Sequence, residues 1–275
     1  GLTSIYESAF AMCTSLESVI LPESLTTIGN LVFSGCTSLS EISIPEGVTE
    51  FGEPAFTDTP WLAAQQAENP FVIVNHVLLD ASTVEGEEIT IPEGVTSIAP
   101  WVFGQQEKNI KKVIIPDGVT TLNFGALDCP SLEEIVIPES VQTIKSNAFG
   151  STVWLANRKA ENPLVVVNQI LIDGTEAENH VVIPDNVRVI NTGAFQFSEK
   201  LTSVEIPETV AEIQDRAFWN CENLTSVSIL NPDCKIADSD SAISTNWDGF
   251  EGVIRGYENS TAQAYAEKYG YSFEV

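Results

Sequence analysis

Hydrophobic positions recur along this chain in short alternating runs, and each run ends in an apolar residue followed by proline. The run Leu39-Ser40-Glu41-Ile42-Ser43-Ile44 before Pro45 is typical, because apolar and polar residues alternate over its last four positions. Such alternation predicts a short strand, which the proline ends because it has no N–H to donate to a sheet. The runs end at Leu21-Pro22, Ile44-Pro45, Ile91-Pro92, Ile115-Pro116, Ile137-Pro138, Ile183-Pro184 and Ile206-Pro207.

These prolines are spaced by about 23 residues, or by about twice that interval, and other columns keep the same spacing. An apolar residue stands three and six positions after each proline. The residue eleven positions after it is Phe, or in one unit Leu: Phe33, Phe56, Phe103, Leu127, Phe149, Phe195 and Phe218. Agreement of several columns over seven units indicates a solenoid, in which each coil buries its apolar face only against its neighbours.

Each repeat also predicts the shape of one coil. An acidic residue follows the proline, and Gly or Asn often comes next, as at Gly47, Gly94, Gly118 and Asn186. This is turn chemistry, in which we expect Gly or Asn to adopt positive φ. A second short strand such as 95–98 follows, and the Ala-Phe segment then predicts one tight helical turn. We therefore expect a mainly β fold with short helical turns and a ladder of buried Phe side chains.

The two double-length intervals contain the same insertion, since Trp154 follows Trp61 by 93 residues. Thr59 as N-cap and Pro60 at the first helical position predict a short helix, which ends at Asn69-Pro70. The tryptophans either offer a stacking platform to a ligand or pin the helix to the side of the solenoid, and the second interpretation is favoured.

After each inserted helix comes a pair of β-branched runs separated by two residues. These residues are Asn75-His76 in the first copy and Asn168-Gln169 in the second. Asn tolerates positive φ, so the pattern favours a two-residue hairpin turn over the alternative of one continuous strand.

The repeat unit resembles the BspA-like leucine-rich repeat, as in AFAMCTSLESVILPESLTTIG and AFWNCENLTSVSIL. It keeps the Leu-x-x-Val/Ile-x-Ile strand and lacks the Asn found two residues later in ordinary leucine-rich repeats. The resemblance implies a right-handed leucine-rich-repeat solenoid with parallel strands over residues 1–230, with insertions at about 58–81 and 151–174. Members are typically secreted or surface proteins of host-associated anaerobic bacteria or parasitic protists, and the best-known one is similar to an adhesin for host matrix proteins. The resemblance implies recognition and carries over no catalytic residue.

Residues 231–275 leave the repeat frame, and we expect them to close the solenoid. Residues 231–250 are rich in Asp, Ser and Asn and predict a loop. A strand, a helix capped by Ser260 or Thr261, a stop at Gly270 and a last short strand follow. Such a cap covers the apolar surface and open edge of the last coil. Because residues 1–10 already fit the repeat and have no comparable cap, we expect this chain to be the C-terminal piece of a longer protein.

The charge balance limits the partners. The 12 Lys and Arg stand against 39 Asp and Glu, which gives a net charge of −27. Phosphate is repelled by such a surface, so we expect neither nucleic acid nor an anionic membrane as partner. No apolar stretch is long enough to span a bilayer, and we expect no membrane insertion.

No motif predicts catalysis, a cofactor or a metal site, so we predict a non-catalytic protein without a cofactor. His180 can be paired with Asp173 or Glu178, but no motif supplies a Ser or Cys nucleophile. Asp238, Asp240, Asp248 and Glu251 hint at calcium, yet the EF-hand spacing fails, and a solvated acidic loop is favoured. Cys13, Cys36 and Cys221 share one slot of the repeat, and Cys129 lies one residue away. This recurrence favours buried structural thiols over a metal or redox site.

The outward-facing residues of the first strand in each coil define the candidate binding face. In the alternating run, the residue between the two inward apolar positions points out, as does the residue two places earlier. The pairs are Ser18/Ile20, Glu41/Ser43, Glu88/Thr90, Lys112/Ile114, Glu134/Val136, His180/Val182, Ser203/Glu205 and Ser226/Ser228. Some of these positions are apolar where water is expected, either for β-propensity or as a recognition strip. We predict a partner site at Lys112, Ile114, Glu134, Val136, His180 and Val182.

Together these features predict a monomeric, secreted or cell-surface binding module, whose partner is a protein such as a host extracellular-matrix or surface protein. One alternative is a spacer that holds another domain away from the cell. Another is a carbohydrate-binding protein, which requires an aromatic platform beside carboxylates in one groove.

Overall fold

The computed structural model describes residues 1–103 and 109–275, which form two compact units, Gly1–Leu155 and Ala156–Val275. In each unit the chain winds in coils, and equivalent short strands of successive coils pair in parallel. The predicted mainly β, parallel-strand solenoid is therefore confirmed. The predicted boundary at residue 230 falls inside the second unit.

The first unit contains thirteen strands among its described residues. They are β1 (Ser4–Ile5), β2 (Ser18–Ile20), β3 (Thr27–Ile28), β4 (Glu41–Ser43), β5 (Glu50–Phe51), β6 (Val72–Val74), β7 (Val77–Asp80), β8 (Glu88–Thr90), β9 (Ser97–Ile98), β10 (Lys112–Ile114), β11 (Thr121–Leu122), β12 (Glu134–Val136) and β13 (Thr143–Ile144). The strands that precede the prolines form the sheets β2-β4 and β8-β10-β12. The strands that follow the prolines form β1-β3-β5 and, together with the first hairpin, β13-β11-β9-β7-β6.

The second unit repeats this arrangement in two five-stranded sheets. Its strands are β14 (Val165–Val167), β15 (Ile170–Asp173), β16 (Asn179–Val182), β17 (Val189–Ile190), β18 (Leu201–Ile206), β19 (Glu212–Ile213), β20 (Ser226–Ile229), β21 (Lys235–Ile236), β22 (Val253–Arg255) and β23 (Ser272–Glu274). The sheet orders are β14-β15-β17-β19-β21 and β16-β18-β20-β22-β23.

The interior of each unit contains the predicted column of stacked phenylalanines. The buried rings of Phe33 and Phe56 lie 5.6 Å apart and 18° from parallel in the first unit. Those of Phe195 and Phe218 lie 4.9 Å apart and 9° from parallel in the second. The column thus provides much of the apolar area that each coil buries against the next.

The segment around a described column residue such as Phe33 is a tight hydrogen-bonded turn, as predicted, and it does not continue into an α-helix. The Cys36 N–H donates to the Phe33 carbonyl at 3.1 Å, which closes a turn inside the coil. The Phe33 N–H instead donates to the Ala55 carbonyl of the next coil at 2.8 Å. Because this N–H bonds between coils, it cannot take part in the i to i−4 pattern of an α-helix.

The turn after the proline follows the prediction in only some coils. Gly94 and Gly118 have φ of 86° and 102°. Gly47 and Asn186 have no positive φ, so the prediction was wrong at those two positions. The acidic-Gly or acidic-Asn signal therefore located the turn correctly without determining its backbone type.

The insertions have the predicted helix and hairpin. Helix α1 (Pro60–Glu68) begins after Thr59, whose Oγ accepts a hydrogen bond from the Leu62 N–H, and helix α2 comprises Val153–Glu161. In each copy the two residues between the paired strands have positive φ, so the hairpin is confirmed over the continuous strand: Asn75 (49°), His76 (65°), Asn168 (45°) and Gln169 (68°).

The inserted tryptophans lie against the Phe column. The Trp61 ring is 4.7 Å from Phe56, and the buried Trp154 ring is 4.7 Å from Phe149. Backbone N–H groups of both tryptophans also donate to the solenoid, at 2.9 Å to Leu39 and 2.7 Å to Leu132. These contacts support the interpretation that the tryptophans pin the helices.

The segment 231–250 is a further coil over much of its length, so the prediction of a loop was wrong there. It contains β21, which pairs with β19, and the Phe218 N–H donates to the Ala242 carbonyl at 2.9 Å. Ala242 and Ile243 are buried. The segment was predicted to be a loop because most of its residues are polar, and its few apolar residues continue the core.

The predicted closing elements are confirmed. Helix α3 (Thr261–Tyr269) has Ser260 as its N-cap, because the Ser260 Oγ accepts from the Gln263 N–H at 3.3 Å. Gly270 ends the helix with a φ of 75°. Strand β22 precedes helix α3 in the chain and β23 follows it. Both strands continue the sheet of β16, β18 and β20 in parallel.

The cysteines are thiols rather than disulfides, and four of them are buried. Cys13 is exposed, so the prediction that its slot is buried was wrong at this position. Cys36 and Cys221 donate to carbonyls of the preceding coil, at 3.0 Å to Phe10 and 3.1 Å to Phe195.

Candidate binding surface

Strands β10 and β12 bring four of the six predicted site residues together on one face of the first unit. Lys112 pairs with Glu134, and Ile114 pairs with Val136, so the predicted register is confirmed. Val113, between the two outward residues of β10, is buried. Val136 is 44% exposed, so its apolar surface faces solvent, and Ile114 beside it is half-buried.

The charged residues of this patch are paired with each other. The Lys112 Nζ lies 3.1 Å from a Glu134 carboxylate oxygen. A hydrogen bond to Glu134, together with the charges of Glu134 and Glu88, raises the pKa of Lys112. The ion pair thus borders the apolar pair Ile114 and Val136 on one side, and Thr90 of β8 lies beside Ile114 in the register.

The other two predicted residues lie in the second unit, on β16. Val182 is exposed and pairs with Glu205, while the His180 Nδ1 lies 2.8 Å from the Ser203 Oγ. Sequence reasoning did not connect His180 with Ser203. The signal was present, because both occupy the same outward column and are 23 residues apart.

Neither carboxylate suggested as a partner for His180 is available to it. Asp173 accepts hydrogen bonds from Lys159 and Thr175, and Glu178 forms an ion pair with Lys200. The contact between His180 and Ser203 is therefore a cross-strand pair on an open sheet face. Among the described residues, no third group orients the imidazole as in a nucleophilic triad.

A second surface feature was missed by sequence reasoning. Phe197, Trp219 and Trp247 come from three different coils of the second unit, and their neighbouring rings are 4.9 Å and 4.8 Å apart. Phe197 and Trp219 follow the column residues Phe195 and Phe218 by two and one positions. Trp247 lies in the segment that was predicted to be a loop, so no repeat column pointed to it.

The described ranges contain neither a metal-binding cluster nor a membrane-spanning helix. Within residues 1–103 and 109–275, no group of three or more His, Cys, Asp or Glu could hold a metal ion. The acidic segment instead has Asp238 paired with Lys268 and accepting from the Tyr269 hydroxyl at 2.9 Å. No helix in the same ranges has both the length and the apolar character needed to cross a membrane.

Several solved structures are similar to this chain. Pneumococcal vaccine antigen PcpA is 18% identical over 100% of this chain and 71% of its own, with a TM-score of 0.35. A leucine rich cell surface protein of Faecalibacterium prausnitzii is 23% identical over 100% and 83%, with a TM-score of 0.36. A leucine-rich repeat protein of Eubacterium ventriosum is 21% identical over 89% and 80%, with a TM-score of 0.40. No curated protein matches the chain.

The family comparison covers most of the sequence. The model of the BspA type leucine rich repeat region matches in six copies, over residues 1–76, 81–175 and 173–242. These matches include the Phe column, the whole of the second insertion and the first insertion up to residue 76. The chain belongs to the BspA type leucine-rich repeat family.

Proposed function

We propose that this chain is a non-catalytic protein-binding module of a secreted or cell-surface bacterial protein, and that it acts in adhesion. The partner binds the outward face of β10 and β12. The observation that carries the proposal is the pair Ile114 and Val136, which lie in register on neighbouring strands beside the ion pair of Lys112 and Glu134.

Two arguments favour a binding role over a purely structural role for this face of β10 and β12. Val136 gains little from folding because it stays 44% exposed, and the half-buried Ile114 beside it extends the same apolar surface. An apolar centre with charged neighbours is also the arrangement found in the core and rim of protein interfaces. The membership in a family of repeat proteins favours recognition over catalysis, because solenoids present extended surfaces to partners.

Binding of purified extracellular-matrix proteins, immobilised on a sensor surface, tests the proposal. The double variant Ile114→Asp with Val136→Asp places two carboxylates in the apolar centre, and we expect it to abolish binding while it keeps the melting temperature. The control is Ile20→Asp with Ser43→Asp, which adds the same two carboxylates at a registered pair on β2 and β4. Ile20 is 88% exposed, so the control adds equal charge without touching β10 and β12.

Three outcomes separate the hypotheses. Loss of binding in the test variant alone supports the proposed surface. Equal loss in both variants shows a general charge effect and contradicts the assignment to β10 and β12. Absence of any ligand at micromolar concentration, among matrix proteins and in pull-downs from matrix extract, favours the spacer alternative and overturns the proposal.

A further inference from the structure

The second unit carries a cluster of aromatic side chains at its surface, on the turns rather than on the sheet face. The Trp219 ring lies between Phe197 and Trp247, and the planes of the two indoles are perpendicular, at 89°. The Arg216 guanidinium lies 5.4 Å from the centre of the Trp219 ring. The Trp219 and Trp247 rings thus form two perpendicular walls, and we call the space between them the aromatic corner.

Folding does not explain the position of Trp247. Its side chain is 79% exposed, so it contributes little buried apolar area to the coil. Phe197 is also exposed on the same surface. Trp219 between them is half-buried, and two large aromatic side chains that remain in water on either side of it indicate a surface held ready for a ligand.

The polar lining of the corner narrows the class of ligand. Trp219 and Trp247 border a pocket of about 210 Å³ that is also lined by Arg216, Asp240 and Asn246. This volume is below the roughly 300–1,000 Å³ of pockets for drug-sized molecules, and it suits a group the size of one ring. The Asp240 carboxylate has no hydrogen-bond or ion-pair partner among the residues that the structure describes, so it can accept hydrogen bonds from a ligand.

Three other ligand classes fit this chemistry less well. Nucleic-acid bases also stack on aromatic rings, but a chain with a net charge of −27 repels their phosphates. A quaternary ammonium ligand needs an aromatic cage without a cation, and here Arg216 already lies over Trp219. A protein hot spot is ringed by contacts that exclude water, whereas these rings are bordered by charged and amide groups.

We propose that this corner is a carbohydrate-binding site, in which a sugar ring stacks on Trp247 and hydrogen-bonds to Asp240. A pyranose matches the corner because one face presents C–H groups and its rim presents hydroxyls that donate and accept hydrogen bonds. The negative charge of the chain favours neutral sugars over acidic ones. The site is independent of the protein-binding face on β10 and β12, since it lies in the second unit.

A microarray of host, plant, fungal and bacterial oligosaccharides, followed by titration calorimetry of the best neutral glycan, tests the proposal. We expect Trp247→Ala to weaken the binding at least about tenfold and Asp240→Asn to weaken it less, while Trp247→Phe keeps part of the stacking. Tyr6→Ala is the matched control, because Tyr6 is an aromatic residue of the first unit with a similar exposure of 82%. It is expected to bind like the unmodified chain.

The outcomes are distinct from those of the protein-binding proposal. The variant Ile114→Asp with Val136→Asp is expected to keep full glycan binding, and loss of glycan binding in it would contradict a separate site. Absence of binding to every glycan on the array overturns the proposal, as does unchanged affinity in Trp247→Ala. Binding of a purified matrix protein that depends on Trp247, without any glycan binding, also overturns it and assigns the corner to a protein partner.

Discussion

The Nζ of Lys159 lies 3.3 Å from a carboxylate oxygen of Asp173, and this contact ties helix α2 to the hairpin that follows it. In the first insertion, the side-chain amide of Gln66 donates to Asp80 at 2.9 Å. These positions are 93 residues earlier in both cases. The duplication therefore preserved the aspartate as acceptor while the donor changed between a neutral amide and an ammonium group.

We call the contact between Lys159 and Asp173 the clamp of the second insertion. We expect the Asp173 carboxylate to be important for stability and the positive charge of Lys159 to matter little. Asp173→Ala removes the acceptor of the Thr175 N–H and hydroxyl, and it leaves the Lys159 ammonium with only the Thr175 Oγ and Glu176 as partners. We expect a loss of about 1–3 kcal/mol in the free energy of unfolding. Lys159→Gln reproduces the donor of the first insertion and is expected to cost less than about 1 kcal/mol. Urea unfolding of both variants measures the difference.

Glu161→Ala is the control for the clamp, because the Arg158–Glu161 pair on the same helix is exposed. It is expected to change the free energy of unfolding by less than about 0.5 kcal/mol. If Asp173→Ala unfolds like Glu161→Ala, the clamp does not stabilise the insertion.

The Phe column should be the most sensitive part of each unit to truncation. Phe149 is buried and lies against Trp154, so Phe149→Ala is expected to cost about 3–5 kcal/mol. Phe10 occupies the same column but is partly exposed, and Phe10→Ala is expected to cost clearly less. An unchanged melting temperature in Phe149→Ala would show that its ring is not part of the core.

The five cysteines should react with thiol reagents at very different rates. Cys13 is exposed and is expected to be labelled at once, whereas the other four react only when the chain opens. Burial raises the pKa of Cys221 and of Cys234 to about 12, so very little reactive thiolate forms there at neutral pH. Mass spectrometry after brief labelling should find one modification, and Cys13→Ser should remove it. Rapid modification of Cys36 or Cys221 in the native state would contradict this.

The second hairpin turn offers a stabilising substitution. Gln169 has a φ of 68°, a left-handed conformation in which its Cβ is strained, and its side chain is exposed. Gln169→Gly creates the Asn-Gly pair preferred in such turns, and we expect a gain of about 0.5–1 kcal/mol in the free energy of unfolding. Gln169→Ala keeps the Cβ and should give no gain. Thermal unfolding of the two variants measures both effects, and a lower melting temperature in Gln169→Gly would contradict the turn geometry.

Local and periodic features could be predicted from the sequence alone. The strand before each proline and the hairpin at Asn75-His76 depend on residues next to each other in the chain. So does the N-cap of α3, which the sequence limited to Ser260 or Thr261. The Phe column was also predictable, because every coil repeats the same burial and therefore the same residue type. The outward positions of Lys112 and Ile114 followed from strand alternation, although the partner they bind remains a proposal.

Contacts between coils decided the features that the sequence did not reveal. Leu31 and Arg216 adopt left-handed φ of 56° and 54° nine positions after their prolines, without being Gly or Asn. The Leu31 N–H donates to the Glu53 carbonyl of the next coil at 2.7 Å, and such bonds offset the local strain. Because stacking rather than residue type sets this conformation, it cannot be predicted from the residues of a single coil.

The candidate carbohydrate site depended on the tertiary structure for the same reason. Phe197, Trp219 and Trp247 are separated by 22 and 28 residues and share no column of the repeat. Stacking of three coils brings the Trp219 ring within 5 Å of each of the other two rings. The sequence determined the coil and its core, since those repeat. The corner lined by Trp247 and Asp240 arises only where unlike positions of neighbouring coils meet, and it required the folded chain.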